Sequence, residues 1–84
     1  MKIQNADKPT FSSPDFYLCA FLKAKELKLL GVEKESPSRL LFVFQDSKDR
    51  QELVQGFLFD SILIEPKRYA TAIRELKDLI HSQI

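Results

Sequence analysis

The stretch Arg39–Gln45, with the sequence RLLFVFQ, constrains the fold more than any other part of the chain. Its aromatic and β-branched residues suit the pleated surface of a strand. Alternate side chains of a strand point to opposite faces, so the apolar residues divide into two sets. One face carries Leu40, Phe42 and Phe44, and the other carries Leu41 and Val43. Because both faces are apolar, we expect the strand to be covered on both sides.

A second strand precedes this one and completes a hairpin. Residues 27–34 are largely apolar, and Gly31 within them indicates a bulge or a close backbone approach. The four residues Glu35–Ser38 have the composition of a turn. The sequence therefore predicts a central β-hairpin with strands at about 27–34 and 39–45.

Three further segments have helical patterns, at about 14–26, 47–58 and 66–82. Ser13 is a suitable cap for the first helix with Pro14 at its first position, and Asp46 or Ser47 is a suitable cap for the second. The last helix follows Pro66. Its apolar residues recur at intervals of four, three and four, at Tyr69, Ile73, Leu76 and Ile80.

Two short segments complete the expected α+β fold. Residues 10–12 favour a short edge strand, and Ile62–Ile64 is an apolar run of strand length. The first six elements then match a ferredoxin-like βαββαβ unit, and the last helix is added after it. In that arrangement the last helix covers the second sheet face. The alternative is a smaller α+β fold, a hairpin of two or three strands packed by three helices.

Length and composition place limits on the organisation of the chain. We interpret the 84 residues as a flexible lead at 1–9 and a single domain at 10–84. Net charge is +1, so any nucleic-acid site must be a local patch. One cysteine allows no internal disulfide, and no apolar run has the length of a membrane span or a signal peptide. We therefore expect a cytoplasmic protein.

Several segments resemble a known family. They are Asp15–Leu22 (DFYLCAFL), Leu29–Val32 (LLGV), Phe42–Asp46 (FVFQD), Pro66–Tyr69 (PKRY) and Leu76–Lys77. Together they are similar to the short prokaryotic family named domain of unknown function 5659, over about residues 10–82. The resemblance implies no activity, cofactor or catalytic residue.

This chain departs from the family pattern at two connections. Glu26 stands where the family leads us to expect a glycine between the first helix and the next strand. Leu58-Phe59-Asp60 stands where we expect a bulky aromatic residue followed by a turn pair. Both departures concern the geometry of the connections.

No group of residues predicts catalysis, a cofactor or a metal. Cys19 lies among apolar residues of the first helix and is expected to be an inert core residue, while His81 lies in the last turn of the last helix. A zinc site needs three or four spaced ligands, which this chain does not supply. Asp46, Asp49 and Glu52 are interpreted as cap, first-turn charge and solvated face. We therefore expect a protein that is not an enzyme.

An RNA-recognition module shares the βαββαβ order and carries aromatic residues on its third strand. Residues 38–44 resemble that strand only loosely, because its glycine is missing and Leu40 and Leu41 occupy positions suited to small or aromatic residues. We interpret Phe42 and Phe44 as core residues.

Two surfaces remain as candidate binding sites. The first is a basic cluster on the last helix, formed by Lys67, Arg68, Arg74 and Lys77. Positive charge at a helix start is unfavourable, so an anion site is one explanation and a solvated face beside Glu65, Glu75 and Asp78 is the other. The second is a set of apolar residues expected to remain exposed, comprising Phe11, Phe59, Ile62, Leu63 and Ile64.

The first hypothesis for function is a small accessory module that binds nucleic acid through the basic cluster. The alternative is a protein-interaction or assembly module, or a homo-oligomer, which uses the apolar residues. A small-molecule enzyme ranks third.

Overall fold

The computed structural model describes residues 9–83 and contains six elements in those residues. They are β1 (Thr10–Ser13), α1 (Phe16–Ala24), β2 (Leu29–Ser36), β3 (Arg39–Gln45), α2 (Arg50–Leu58) and α3 (Pro66–Gln83). The predicted α+β class, with three helices and a small antiparallel sheet, is confirmed. Residues 1–8 of the predicted lead lie outside the described residues.

The sheet has the strand order β1-β3-β2, and both pairings are antiparallel. β3 lies in the centre, as its two apolar faces lead one to expect. The register moves from Leu29 opposite Phe44 to Gly31 opposite Val43, which makes Leu30 the extra residue of a bulge. The bulge inferred from Gly31 is therefore confirmed.

The core forms where α1 packs on one face of β3. Phe42 is 2% exposed and Phe44 is fully buried, and both belong to one cluster with the apolar residues of α1. Val43 points to the other face and is also buried. Phe42 and Phe44 are thus core residues, and they do not form the exposed aromatic platform of an RNA-recognition module.

The expectation that the last helix covers the second sheet face is wrong. Ala72 and Leu76 of α3 are buried in the same cluster as Phe42 and Phe44, and α3 packs chiefly against α1. The reason lies in α1, whose consecutive residues 18–22 are all buried. A helix that is apolar on every side needs cover on more than its sheet side, and α2 and α3 provide it.

The ferredoxin-like arrangement is not completed, because Ile62–Ile64 forms no strand in the described structure. The segment lies beside the helices instead. Ile62 occupies the space above Gly56, where any Cβ would overlap its side chain, and the Lys25 Nζ donates to the Leu63 carbonyl at 2.7 Å. These contacts hold the run away from the sheet.

Helices α1 and α2 end in the same way. A 6→1 hydrogen bond joins the Leu27 amide to the Leu22 carbonyl at 3.0 Å, and another joins Ser61 to Gly56 at 2.9 Å. The residue before each donor is left-handed, with φ 71° at Glu26 and 59° at Asp60. This is the Schellman geometry, in which glycine is usual. The family's expected glycine position is thus a left-handed position occupied here by Glu26.

Helices α1 and α2 start later than predicted, whereas α3 starts at Pro66 as predicted. α1 begins at Phe16, and its cap is Asp15, whose carboxylate accepts from the Leu18 amide at 3.1 Å. The Ser13 hydroxyl accepts from the Asp15 amide at 3.1 Å, one residue before the helix begins, so it does not cap the helix itself. α2 begins at Arg50, after a turn at residues 48–49.

Candidate functional site

The first turn of α3 presents Lys67 and Arg68 to solvent, as the sequence led us to expect. Arg68 is already paired, since its Nη2 donates to Glu26 Oε2 at 2.9 Å. The two side chains remain 51% and 78% exposed, so the pair is weak. The left-handed turn at the end of α1 places Glu26 opposite Arg68.

A groove of about 300 Å³ separates this turn from the end of α1. It is lined by both helices, and its charged residues are Lys23, Lys67, Arg68, Glu26 and Glu75. Lys23 Nζ lies 3.1 Å from Glu75 Oε1, which forms a second ion pair across the groove. The two pairs neutralise most of the charge, so the groove is a poor anion site and Lys67 is its one unpaired cation among the described residues.

Lys67, Arg74 and Lys77 form a separate row, which we call the basic stripe. Their spacings of seven and three residues place them within about 80° of one another around the helix axis. They span about 15 Å along the axis, from a rise of about 1.5 Å per residue. All three side chains are exposed, and no ion pair joins them to a described residue. Three of the four predicted basic residues therefore form one surface, and Arg68 does not belong to it.

His81 also belongs to this surface, although it was not predicted as part of it. It is exposed and lies four residues after Lys77, so it continues the stripe by another helical turn. The helical spacing alone was enough to show this.

The predicted apolar set is divided by the structure. Phe59 is 76% exposed and Leu63 is 88% exposed, whereas Ile62 and Ile64 are half-buried and pack against the core. Leu58 and Tyr17 were not predicted, yet they are 61% and 59% exposed.

Phe11 also differs from the exposed part of the set. It is half-buried against the core, and the Arg50 guanidinium lies 4.4 Å from its ring centroid. Such a contact is a cation–π interaction, and it gives Phe11 a structural partner within the chain.

Cys19 has the environment of a core residue. It is fully buried, its Sγ lies 3.6 Å from the Ser13 carbonyl, and burial raises the pKa of the thiol to about 12. A thiol held protonated is a poor nucleophile. His81, by contrast, is exposed at the end of α3, so the two residues do not form a pair.

The acidic residues before and within α2 have structural roles. Asp46 accepts from Arg50 Nε at 3.0 Å, and this hydrogen bond lowers the pKa of its carboxyl group. Asp49 occupies the N-cap position without a side-chain cap hydrogen bond, and Glu52 is a first-turn charge. Within residues 9–83 no three side chains of the metal-binding types come together.

None of the described helices combines the length and the apolar character needed to cross a membrane.

Comparison with known proteins identifies a family. The model of a domain of unknown function (DUF5659) matches residues 8–82, which confirms the resemblance noted in the sequence. No curated protein and no solved structure matches the chain.

Proposed function

Because the chain belongs to the DUF5659 family, a domain of unknown function, we propose a function from its own surface: a non-enzymatic accessory module that binds nucleic acid. The observation that carries the proposal is the basic stripe of Lys67, Arg74 and Lys77. Exposed cations in a row on one rigid helix match the repeating charge of a phosphate backbone.

The stripe is held in place by the buried face of its own helix. Ala72 is 3% exposed and Leu76 is fully buried, which fixes α3 on α1 and leaves the opposite face to solvent. Of the acidic neighbours, Glu75 is paired with Lys23 and not with the stripe. Asp78 is exposed four residues after Arg74 on the same face, and no ion pair joins it to the stripe among the described residues, so the stripe keeps a net positive charge for an external anion.

The form of the stripe indicates the kind of binding. A span of about 15 Å corresponds to about four phosphates of one duplex strand, at 3.4 Å per phosphate. Phosphate contacts position a protein without reading the base sequence, and the core residues Phe42 and Phe44 offer no stacking surface. We expect weak binding without sequence preference. The net charge of the protein is only +1, so long-range electrostatic attraction adds little to the affinity for nucleic acid.

The remaining parts of the proposal follow from the same features. The buried Cys19, whose thiol pKa is raised by burial, does not offer a nucleophile, and the proposed module acts by binding alone. The proposal includes placement in the cytoplasm of a prokaryotic cell, where nucleic acid is accessible.

Fluorescence anisotropy with labelled single-stranded and duplex DNA tests the proposal. We expect a dissociation constant in the micromolar range at low salt, and a log–log salt slope of about 2–3 for three phosphates neutralised. The triple variant Lys67→Ala, Arg74→Ala and Lys77→Ala should lose this binding and its salt dependence.

A matched triple variant controls for net charge. Lys28→Ala, Lys34→Ala and Lys48→Ala remove the same charge from exposed residues outside α3 and should retain the salt slope of the parent protein. Equal loss in both triple variants, or no binding at low salt, contradicts the proposal.

A second candidate function is protein interaction, and the exposure of Phe59 (76%) and Leu63 (88%) favours it. If this function is correct, the protein should bind a partner protein or itself at high salt, and binding should depend on these apolar side chains.

A further inference from the structure

His81 lies in the last turn of α3, on the exposed face that carries the basic stripe. At about 3.6 residues per turn, it lies about 20° from Arg74 around the helix axis and about 40° from both Lys67 and Lys77. Its position is therefore inside the arc that the three cations occupy. The rise of about 1.5 Å per residue places it about 6 Å beyond Lys77, which lengthens the row from about 15 Å to about 21 Å.

The imidazole of His81 has no charged partner among the residues that the structure describes, since no ion pair joins it to any of them. Its charged neighbours on the exposed face of α3 are Arg74, Lys77 and Asp78. Asp78 is the one acidic group of the three, and it lies about 60° from His81 around the axis. The ring is thus free to contact an external anion, in a row that is mostly cationic.

The charged groups of α1 and its C-terminal turn that meet α3 do so in earlier turns of that helix. Lys23 pairs with Glu75, and Glu26 pairs with Arg68. Both partners on α3 lie six or more residues before His81, so neither ion pair involves the end of the helix. Positive charge is favoured in the last turn of a helix, and a charged ring at His81 is compatible with this position.

We propose that His81 is a fourth phosphate-binding residue of the site formed by the basic stripe, and that its protonation strengthens nucleic-acid binding below neutral pH. This inference rests on the proposed function and names a condition that regulates the same site. A protonated imidazole donates from both ring nitrogens, and hydrogen bonds between charged groups and phosphate are roughly twice as strong as neutral ones.

The chain contains a single histidine, which makes the expected pH dependence specific to one position. Histidine ordinarily changes its charge between about pH 5 and pH 8. Carboxylates ordinarily titrate near pH 4 and lysines above about pH 10. The one cysteine, Cys19, stays protonated because burial raises the pKa of its thiol to about 12.

Fluorescence anisotropy with labelled single-stranded and duplex DNA tests the inference, at about pH 7.5 and about pH 5.5 and at matched ionic strength. One additional phosphate neutralised should increase the log–log salt slope of the parent protein by about 0.7–0.9 at the lower pH. The same contact should raise the affinity about 5- to 8-fold at about 0.1 M salt.

Two substitutions at His81 separate its charge from its presence. His81→Gln should bind at both pH values with the slope that the parent protein has at the higher pH, and it also controls for the α-amino group, which titrates near neutral pH. His81→Lys carries a permanent charge and should bind at both pH values with the larger slope. The side chain is exposed, so both variants should fold, which circular dichroism checks.

A matched control moves the histidine to another surface. Gln51→His in the His81→Gln background returns one histidine to the protein at an exposed position of α2. The total charge of this variant changes with pH as in the parent protein, but the new histidine lies outside the basic stripe. The salt slope should therefore stay the same at both pH values.

A parent protein that binds DNA with one slope at both pH values overturns the inference, while the nucleic-acid proposal stands on the binding at the higher pH. A pH-dependent slope that persists in His81→Gln, or that Gln51→His restores, overturns the inference as well. Absence of DNA binding at both pH values overturns the proposed function and this inference together.

Discussion

Two phenylalanines show how differently the two apolar regions of this protein are built. Phe42 lies in the central strand and is 2% exposed, whereas Phe59 lies at the end of α2 and is 76% exposed. Phe42 is enclosed because strands flank it on both sides and α1 covers it. Beyond Phe59 the chain turns through the left-handed Asp60, after which Ile62 and Ile64 point inward and Leu63 outward. Apolar character alone therefore does not decide burial; the surrounding elements do.

The largest expected effect follows from this contrast. Phe42→Ala should lower the free energy of unfolding by about 3–5 kcal/mol, because it opens a cavity in the core. Phe59→Ala should change it by no more than about 0.5 kcal/mol, as is usual for an exposed site. Urea denaturation of both variants, followed by circular dichroism, measures the difference. Similar losses in the two variants would show that Phe59 is buried within the chain in solution.

The α1–sheet core was predictable because its pattern is local. Alternating faces in residues 40–44 and helical spacing in α1 and α3 are visible in the sequence. The position of α3 was not predictable, because it depends on how many sides of α1 must be packed against other elements. Residues 18–22 of α1 form an unbroken apolar run. Only when all of these residues are known to be buried does it follow that α1 must be covered by two other helices as well as by the sheet.

The connection after α2 was predicted poorly for a related reason. Ile62–Ile64 has the composition of a strand, yet it pairs with neither edge strand of the sheet, β1 or β2. The space above Gly56 admits the Ile62 side chain and keeps the segment beside the helices. This contact joins residues of two different elements, so no periodicity in the sequence reveals it.

An intermediate change in stability is expected at Gly56, where the segment after α2 packs against that helix. Gly56→Ala should gain about 1 kcal/mol of helix propensity but lose more through overlap with Ile62, for which overpacking costs about 1–3 kcal/mol. The net change should be destabilising by up to about 2 kcal/mol.

A double-mutant cycle separates the two contributions. In the Ile62→Ala background the Ile62 atoms nearest to a Cβ at position 56 are removed and only the Cβ at 3.0 Å remains, so Gly56→Ala should be less destabilising than in the parent protein. Thermal and urea denaturation of the four proteins give the coupling. Additive changes would mean that Ile62 does not lie above Gly56.

The candidate site shows the same division between local and tertiary information. The alignment of Lys67, Arg74 and Lys77 follows from helical spacing, so the sequence was sufficient to predict it. The pairing of Arg68 with Glu26 was not predictable, because it depends on a left-handed turn at the end of α1 and on the packing of α3 beside it.

The smallest expected effect concerns the Arg68–Glu26 ion pair. The same change tests whether Arg68, once unpaired, adds to the charge of the basic stripe. Glu26→Gln should release Arg68, increase the salt slope of DNA binding by about 0.7–0.9, and lower stability by no more than about 1 kcal/mol. Glu26→Gly should release Arg68 in the same way but be more stable than Glu26→Gln by about 1 kcal/mol, because φ 71° suits glycine.

Asp60→Gly is the matched control, since φ is 59° there and no ion pair involves Asp60 among the described residues. It should leave the salt slope unchanged. If both Glu26 variants bind DNA as the parent protein does, Arg68 takes no part in binding even when unpaired, and the stripe alone must account for any affinity.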